Sequence, residues 1–254
     1  DKQVLRLLPR LVAVSEDIRQ TLIRSGVSPH RVRTILNGID ERAFVRDRGR
    51  TAGIRQSLGL QPDDMVIGSV GRAEPQKRFD LLMRAFAQLR VAHPQLRLVI
   101  AGDGSQLETL TALARELNLG DRCLLLGHRT DIPELHHAFD LFVQASDYEG
   151  TPNAVLEAMA LESPIVATSA GGTAQLVRTG IDGLVVPAGD IDALTRCIDE
   201  VVRDPSAAAT RAASARRRVE TDLSFSTRMA SVEAVYTELM TSGPSRGARL
   251  AVET

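Results

Sequence analysis

Lysine is almost missing from this 254-residue chain: Lys2 and Lys77 are the only two, and 29 of the 31 basic residues are Arg. The bias reflects a GC-rich coding sequence rather than physics, and it singles out Lys77, the one lysine in the body of the chain. Cysteine is equally scarce. Cys123 and Cys197 lie far apart, match no metal-ligand spacing and fall in apolar-rich stretches. That is the setting of reduced, packed thiols, and it predicts a cytoplasmic protein. No charge excess exists either: the net charge of −1 excludes a global field that recruits nucleic acid or an anionic membrane. No run approaches the ~18 apolar residues of a membrane span, and no signal peptide opens the chain. An initiator Met is also missing, so the chain reads as cut from something longer.

What is present starts with a regular alternation. The length suits one to two domains. From residue 65, short apolar runs recur at 65–70, 96–102, 122–127, 140–146, 164–168 and 183–187, each followed by a helical pattern. Continuous apolar runs separated by helices predict a parallel sheet covered on both faces, a Rossmann-like doubly wound α/β domain. Its ligands are expected at the carboxyl ends of the strands. Ahead of it, 11–15 and 32–36 read as strands around a helix capped by Ser15, and 41–61 as a polar linker with a short helix. Behind it come a helix over 206–220 and an amphipathic one over 226–240 that carries Met229, Val232, Val235, Tyr236 and Leu239. The Arg216-Arg217-Arg218 run reads as a solvated helix face in preference to a membrane contact. The tail over 241–254 reads as disordered. No internal repeat is visible.

The chain is organised around Ser146 to Leu161, SDYEGTPNAVLEAMAL. Thr151 is expected as an N-cap, with Pro152 as the first helical residue. From Ala154 to Leu161 only Glu157 is polar, and a lone carboxylate on a buried helix is costly without a partner. Asn153 lies four residues earlier on the same face. Glu149 precedes the helix, whose first N–H groups, at Asn153 and Ala154, suit a phosphate. The competing reading is a core helix with one satisfied Glu. A second loop, Gly68 to Asp80, supplies tight-turning Gly71 and the cations Arg72 and Lys77.

Glu149 and Glu157, with seven residues between them and EG and EAMA around them, resemble the paired-glutamate motif of family-four retaining glycosyltransferases, which have the GT-B architecture. Gly71-Arg72 through Lys77 is similar to that family's G-R-x-x-x-x-K element, although Arg78 stands where the family usually has Gly or another small residue. Ala13-Val14-Ser15, Asn37-Gly38-Ile39-Asp40, Ala101-Gly102-Asp103-Gly104 and Gly127-His128-Arg129-Thr130 also match in order. So do Asp182-Gly183 and Pro187-Ala188-Gly189-Asp190, both as structural turns. Gln175 departs from the family's usual Glu and is given no role.

The resemblance implies the C-terminal, donor-binding half of a retaining enzyme. It divides the chain into the end of an N-terminal acceptor-side domain (1–40), a linker (41–61), the nucleotide-sugar domain (62–225), a cross-over helix (226–240) and the tail. The implied donor is a UDP- or GDP-sugar, with no metal or other cofactor, and the acceptor is a glycan or a lipid-linked sugar. The latter leaves room for a peripheral place at the inner membrane face. Catalytic roles fall on Arg72, Lys77 and Glu149. Donor contacts fall on Gly71, Arg72, Lys77, Gly102, His128, Arg129, Glu149, Gly150, Thr151, Asn153, Ala154 and Glu157, with Glu157 on the ribose and Glu149 on the sugar. A non-catalytic nucleotide-sugar-binding module or partner subunit is the alternative; a GT-B epimerase that hydrolyses UDP-sugars would show a His and extra acidic groups at the sugar, which this sequence does not convincingly offer.

Overall fold

The structure, a computed structural model, describes residue 5 and residues 8–241. The expected tail from 242 onward lies outside the described residues. Six apolar runs form one parallel sheet: β3 (Met65–Val70), β4 (Leu96–Ala101), β5 (Cys123–Leu125), β6 (Leu141–Gln144), β7 (Ile165–Thr168) and β8 (Leu184–Val186). Their order across the sheet is β5-β4-β3-β6-β7-β8. The chain therefore runs outward from β3 to β5, returns to lay β6 against β3, and continues to the other edge. Between β3 and β6 the direction reverses, and that crevice is where doubly wound sheets bind ligands.

Alternate residues of each strand feed opposite layers, which is why the runs are apolar throughout rather than alternating. Ile67, Leu98, Ile100, Leu141 and Val143 pack with α3 (Phe79–Leu89), α4 (Leu107–Glu116) and α8 (Ile191–Arg203) on one face. Val66, Val99, Phe142, Ile165 and Ala167 pack with α5 (Ile132–Ala138), α6 (Asn153–Ala160) and α9 (Pro205–Thr221) on the other. Asp190 caps α8 by accepting from the Ala193 N–H. Both cysteines are free, Cys123 buried and Cys197 half-buried.

The segment before the main sheet forms a small sheet of its own. Strands β1 (Leu11–Ala13) and β2 (Val32–Thr34) pair with each other in parallel, Leu11 opposite Val32, around α1 (Glu16–Arg24). Ser15 caps α1 through its hydroxyl. The unit is held onto the main domain: Gln175 Oε1 accepts from the Glu16 N–H at 2.7 Å. Within the linker, α2 (Thr51–Ser57) packs on α5.

The arginine run does not form a solvated face. Arg216 is turned inward and donates to the carbonyls of Glu41, Phe44 and Ala160. Arg218 donates to Asp182 and to the Gln175 carbonyl, and Arg217 alone is exposed. The linker and the end of α6 leave carbonyls that need donors, and α9 supplies them. The last helix, α10 (Phe225–Thr241), buries Val235 and leaves Phe225, Met229, Tyr236 and Met240 exposed. Glu238 on it reaches Arg33 at 2.9 Å. No helix among the described residues is long and apolar enough to cross a membrane.

Candidate active site

Loops at the carboxyl ends of β3 and β6 meet across the switch point. After β3 the chain passes Gly71 and Arg72 and enters a single 3-10 turn, Pro75–Lys77. Lys77 Nζ lies 2.6 Å from Glu149 Oε1, and both side chains are largely buried. The Ser146 hydroxyl donates to that same oxygen at 2.7 Å. Arg72 is exposed beside them.

Each of these loops is seated on a neighbour by a glycine. A Cβ on Gly102, at φ 151°, would stand 1.6 Å from the Gly71 carbonyl, so no other residue fits the end of β4. Gly171, at φ 52°, does the same beneath Glu149, whose carbonyl oxygen would be 1.8 Å from a Cβ. Gly71 itself makes room for protein rather than ligand: its α-carbon faces the Lys77 stem, which a Cβ would meet at 3.1 Å. The His128 loop joins this row because the Gly102 N–H donates to the Gly127 carbonyl.

The helix bearing Glu157 starts one residue later than expected. Pro152 takes the cap position in extended geometry, without a side-chain cap. Thr151 is drawn away because its hydroxyl donates to the Val14 carbonyl. The first ladder N–H groups are those of Val155 and Leu156, both bonded to the Pro152 carbonyl. Asn153 and Ala154 thus present N–H groups that precede the ladder, the arrangement that binds anions. Gly150 sits just before them, with Val14 and Ile18 against its α-carbon.

Glu157 faces a cavity of about 300 Å³ lined by Asn37, Gly38, Asp40, Asn153 and Arg228. Burial pushes its carboxyl up to about 7. His136 Nε2 is 4.0 Å away, too far for a hydrogen bond. Burial, reinforced by Arg46 and His137, pushes His136 down to about 3, so the neighbour is neutral and this is no ion pair. Asn37 spans the cavity mouth, donating to Asn153 Oδ1 at 3.0 Å and to the Thr151 carbonyl.

The structure thus places Gly71, Lys77, Gly102, Glu149 and Gly150 in one crevice, with the start of α6 following directly. Glu157, Asn153 and Thr151 lie one helical turn along, against the linker. Arg129 instead pairs with Asp131 at 2.6 Å. Sequence reading missed Ser146, Asn37, Asp40 and Arg228. Ser146 had a signal, as the last residue of an apolar run with Glu149 three positions on. A larger cavity, about 660 Å³, lies at the amino ends of the strands between Arg46, Asp140 and Ala208, remote from this chemistry.

Fold and crevice are those of the GT-B glycosyltransferases. Anabaena Alr3699/HepE, solved in complex with UDP-glucose, matches with a TM-score of 0.85 at 26% identity, over 94% of this chain and 68% of that one. Sucrose-phosphate synthase from Thermosynechococcus elongatus matches with a TM-score of 0.83 at 26% identity, over 95% and 61%. The family profile described as "Glycosyl transferases group 1" covers residues 51–218, and the chain belongs to that family. The D-inositol 3-phosphate glycosyltransferase of Mycobacterium marinum is 33% identical over 237 residues, 89% of this chain and 49% of the relative. A lipopolysaccharide core biosynthesis mannosyltransferase, LpcC of Rhizobium leguminosarum, is 32% identical over 247 residues, 94% and 67% respectively. The chain therefore spans about half the length of the mycobacterial relative it matches.

Proposed function

We propose that this chain is the donor-binding half of a retaining glycosyltransferase that moves a hexosyl group from a UDP- or GDP-sugar to a glycan or lipid-linked acceptor. The observation that carries the reading is the Lys77–Glu149 pair at the switch point, beside a helix start with free N–H groups. Breaking the bond between the anomeric carbon and the diphosphate leaves charge on the departing nucleotide. Lys77, Arg72 and the N–H groups of Asn153 and Ala154 meet that charge, and cations placed there act more on the transition state than on the ground state. Glu149 accepts from hydroxyls of the sugar and Glu157 from those of the ribose. Countercharge comes from the protein itself, so no divalent ion is required.

The βαβ unit over residues 8–40 is read as the end of an acceptor-side domain and 41–61 as the linker to it. The UDP-glucose in the Anabaena relative supports a UDP-linked donor. Calorimetry with UDP, GDP and their sugars, in EDTA and in Mg²⁺, tests the reading. Micromolar binding unaffected by EDTA is the expected result. A strict metal requirement, or no binding of either nucleotide, overturns it. A non-catalytic module separates from an enzyme by donor hydrolysis: Lys77→Ala abolishes slow hydrolysis in an enzyme and changes nothing in a bare binder.

A further inference from the structure

Arg78 follows Lys77 and adopts a left-handed backbone, φ 49° and ψ 41°, at the cap of α3. A side chain with a Cβ is disfavoured there, and such a state persists only where the surroundings enforce it. Here the enforcing contacts are visible. The guanidinium donates to both oxygens of Asp147 at 3.1 Å and to both oxygens of Asp80 at 3.0 and 3.3 Å. Asp147 belongs to the loop after β6, two residues before Glu149. Its N–H also donates to the Gln76 carbonyl, one residue before Lys77, at 2.9 Å. Two connections therefore cross from the Lys77 loop to the Glu149 loop alongside the Lys77–Glu149 pair, and neither touches that pair's atoms.

We propose that Arg78 and Asp147 form a strap that sets the spacing of the β3 and β6 loops, and so fixes where the Lys77 ammonium stands relative to a bound diphosphate. Arg78 is a positioning residue: it acts through Lys77 and makes no contact with the nucleotide. Asp80 holds the planar guanidinium from two sides, at Nε and Nη2, and this fixes the direction in which the remaining Nη1 reaches both oxygens of Asp147. Alignment in the crevice follows from a strained residue held at both ends. The inference deepens the donor-site reading above and rests on it.

Two measurements on the full chain test it separately. Amide hydrogen exchange needs no ligand: Arg78→Gly and Asp147→Ala should each speed exchange at the Asp147 and Lys77 amides, with the sheet strands unchanged. Calorimetry then compares UDP with UMP. Arg78→Gly should weaken UDP about tenfold and leave UMP unchanged, because the proposed donor site sets Lys77 against the terminal phosphate of the diphosphate, which UMP lacks. Glycine relieves the backbone at that position, so its melting temperature should equal or exceed that of the unmodified chain, and weakened folding is excluded as the cause. Asp147→Ala should give the same UDP-specific loss without altering residue 78. Unchanged exchange and unchanged UDP affinity in both variants overturn the strap. Faster exchange together with no nucleotide binding by the unmodified chain keeps the strap and removes the donor-site reading.

Discussion

Lys77 Nζ and Glu149 Oε1 lie 2.6 Å apart across the point where the strand order reverses, so the cation and carboxylate neutralise each other before any ligand arrives. In the proposed donor site, a diphosphate entering here takes Lys77 from Glu149. Glu149→Gln should therefore lower the stability of the empty chain, by about 1–3 kcal/mol for a buried ammonium left short of a partner. The same variant should bind bare UDP more tightly, because the competing carboxylate is gone. Thermal melts with and without UDP check both signs, and a UDP-induced shift no larger than that of the unmodified chain contradicts the exchange of partners.

Glu157 gives a pH dependence of definite sign. Its folded value, about 7, lies above the ordinary carboxylate value of 4.5. The folded chain thus holds a proton that the unfolded chain has released, and stability falls as pH rises from 4.5 to 7, then levels. Glu157→Gln should flatten that portion of the melting-temperature curve and be the more stable protein at pH 8. UDP affinity runs the other way. Ribose hydroxyls need a carboxylate acceptor, so affinity should rise through pH 7 in the unmodified chain and not in the variant. Calorimetry in two buffers of different ionisation enthalpy reads the proton released on binding.

Asp182 behaves oppositely. Burial alone would raise it, but the Arg178 side chain, Ser214, the Arg178 N–H and Arg218 together hold it at about 2. The stability it confers is complete above 3.8 and disappears as pH falls towards 2. Asp182→Asn takes from half-buried Arg218 its nearer carboxylate, leaving Asp222 at 3.9 Å, and should cost about 1–3 kcal/mol near neutral pH. The acid limb of the stability curve should be shallower in the variant.

Arg216 ties the linker to the end of the helix that carries Glu157, through three carbonyls at 2.6 to 3.0 Å. Arg216→Ala should destabilise the chain by about 2–3 kcal/mol, and Arg216→Lys by less, since one ammonium cannot span all three acceptors. Vesicle binding should be the same in both variants and the parent. A loss of binding to anionic vesicles in Arg216→Ala would restore the membrane role that the buried geometry argues against.

The sheet was legible because its cause is local. Six apolar runs with helices between them require a doubly wound arrangement, and their ends then mark the crevice. Lys77 and Glu149 stood out in the same way, one by rarity and the other by spacing. What sequence did not reveal depends on which groups the fold brings together. Thr151 is a good cap by residue type, yet Val14 claims its hydroxyl. Gln175 seemed a weakened glutamate, and its amide oxygen instead receives the first N–H of α1. Strands β1 and β2 were legible as strands, but their pairing with each other was not. In the Arg216 run, charge density suggested solvent, whereas helical geometry turns two of three guanidinium groups towards bare carbonyls. Asp182 was read as half of a turn, and its burial against Ser214 and Arg218 of α9 has no local signature.

The pairing of Lys77 has a consequence for chemical labelling. Amine-selective reagents find only two lysine side chains in this sequence, Lys2 and Lys77. Lys77 is ion-paired with Glu149 and largely shielded, so acylation there should be slow. Glu149→Gln should quicken it, and bound UDP should suppress it again. A mass increment on a single peptide then reports whether the donor pocket is occupied, with no radiolabel and no acceptor needed.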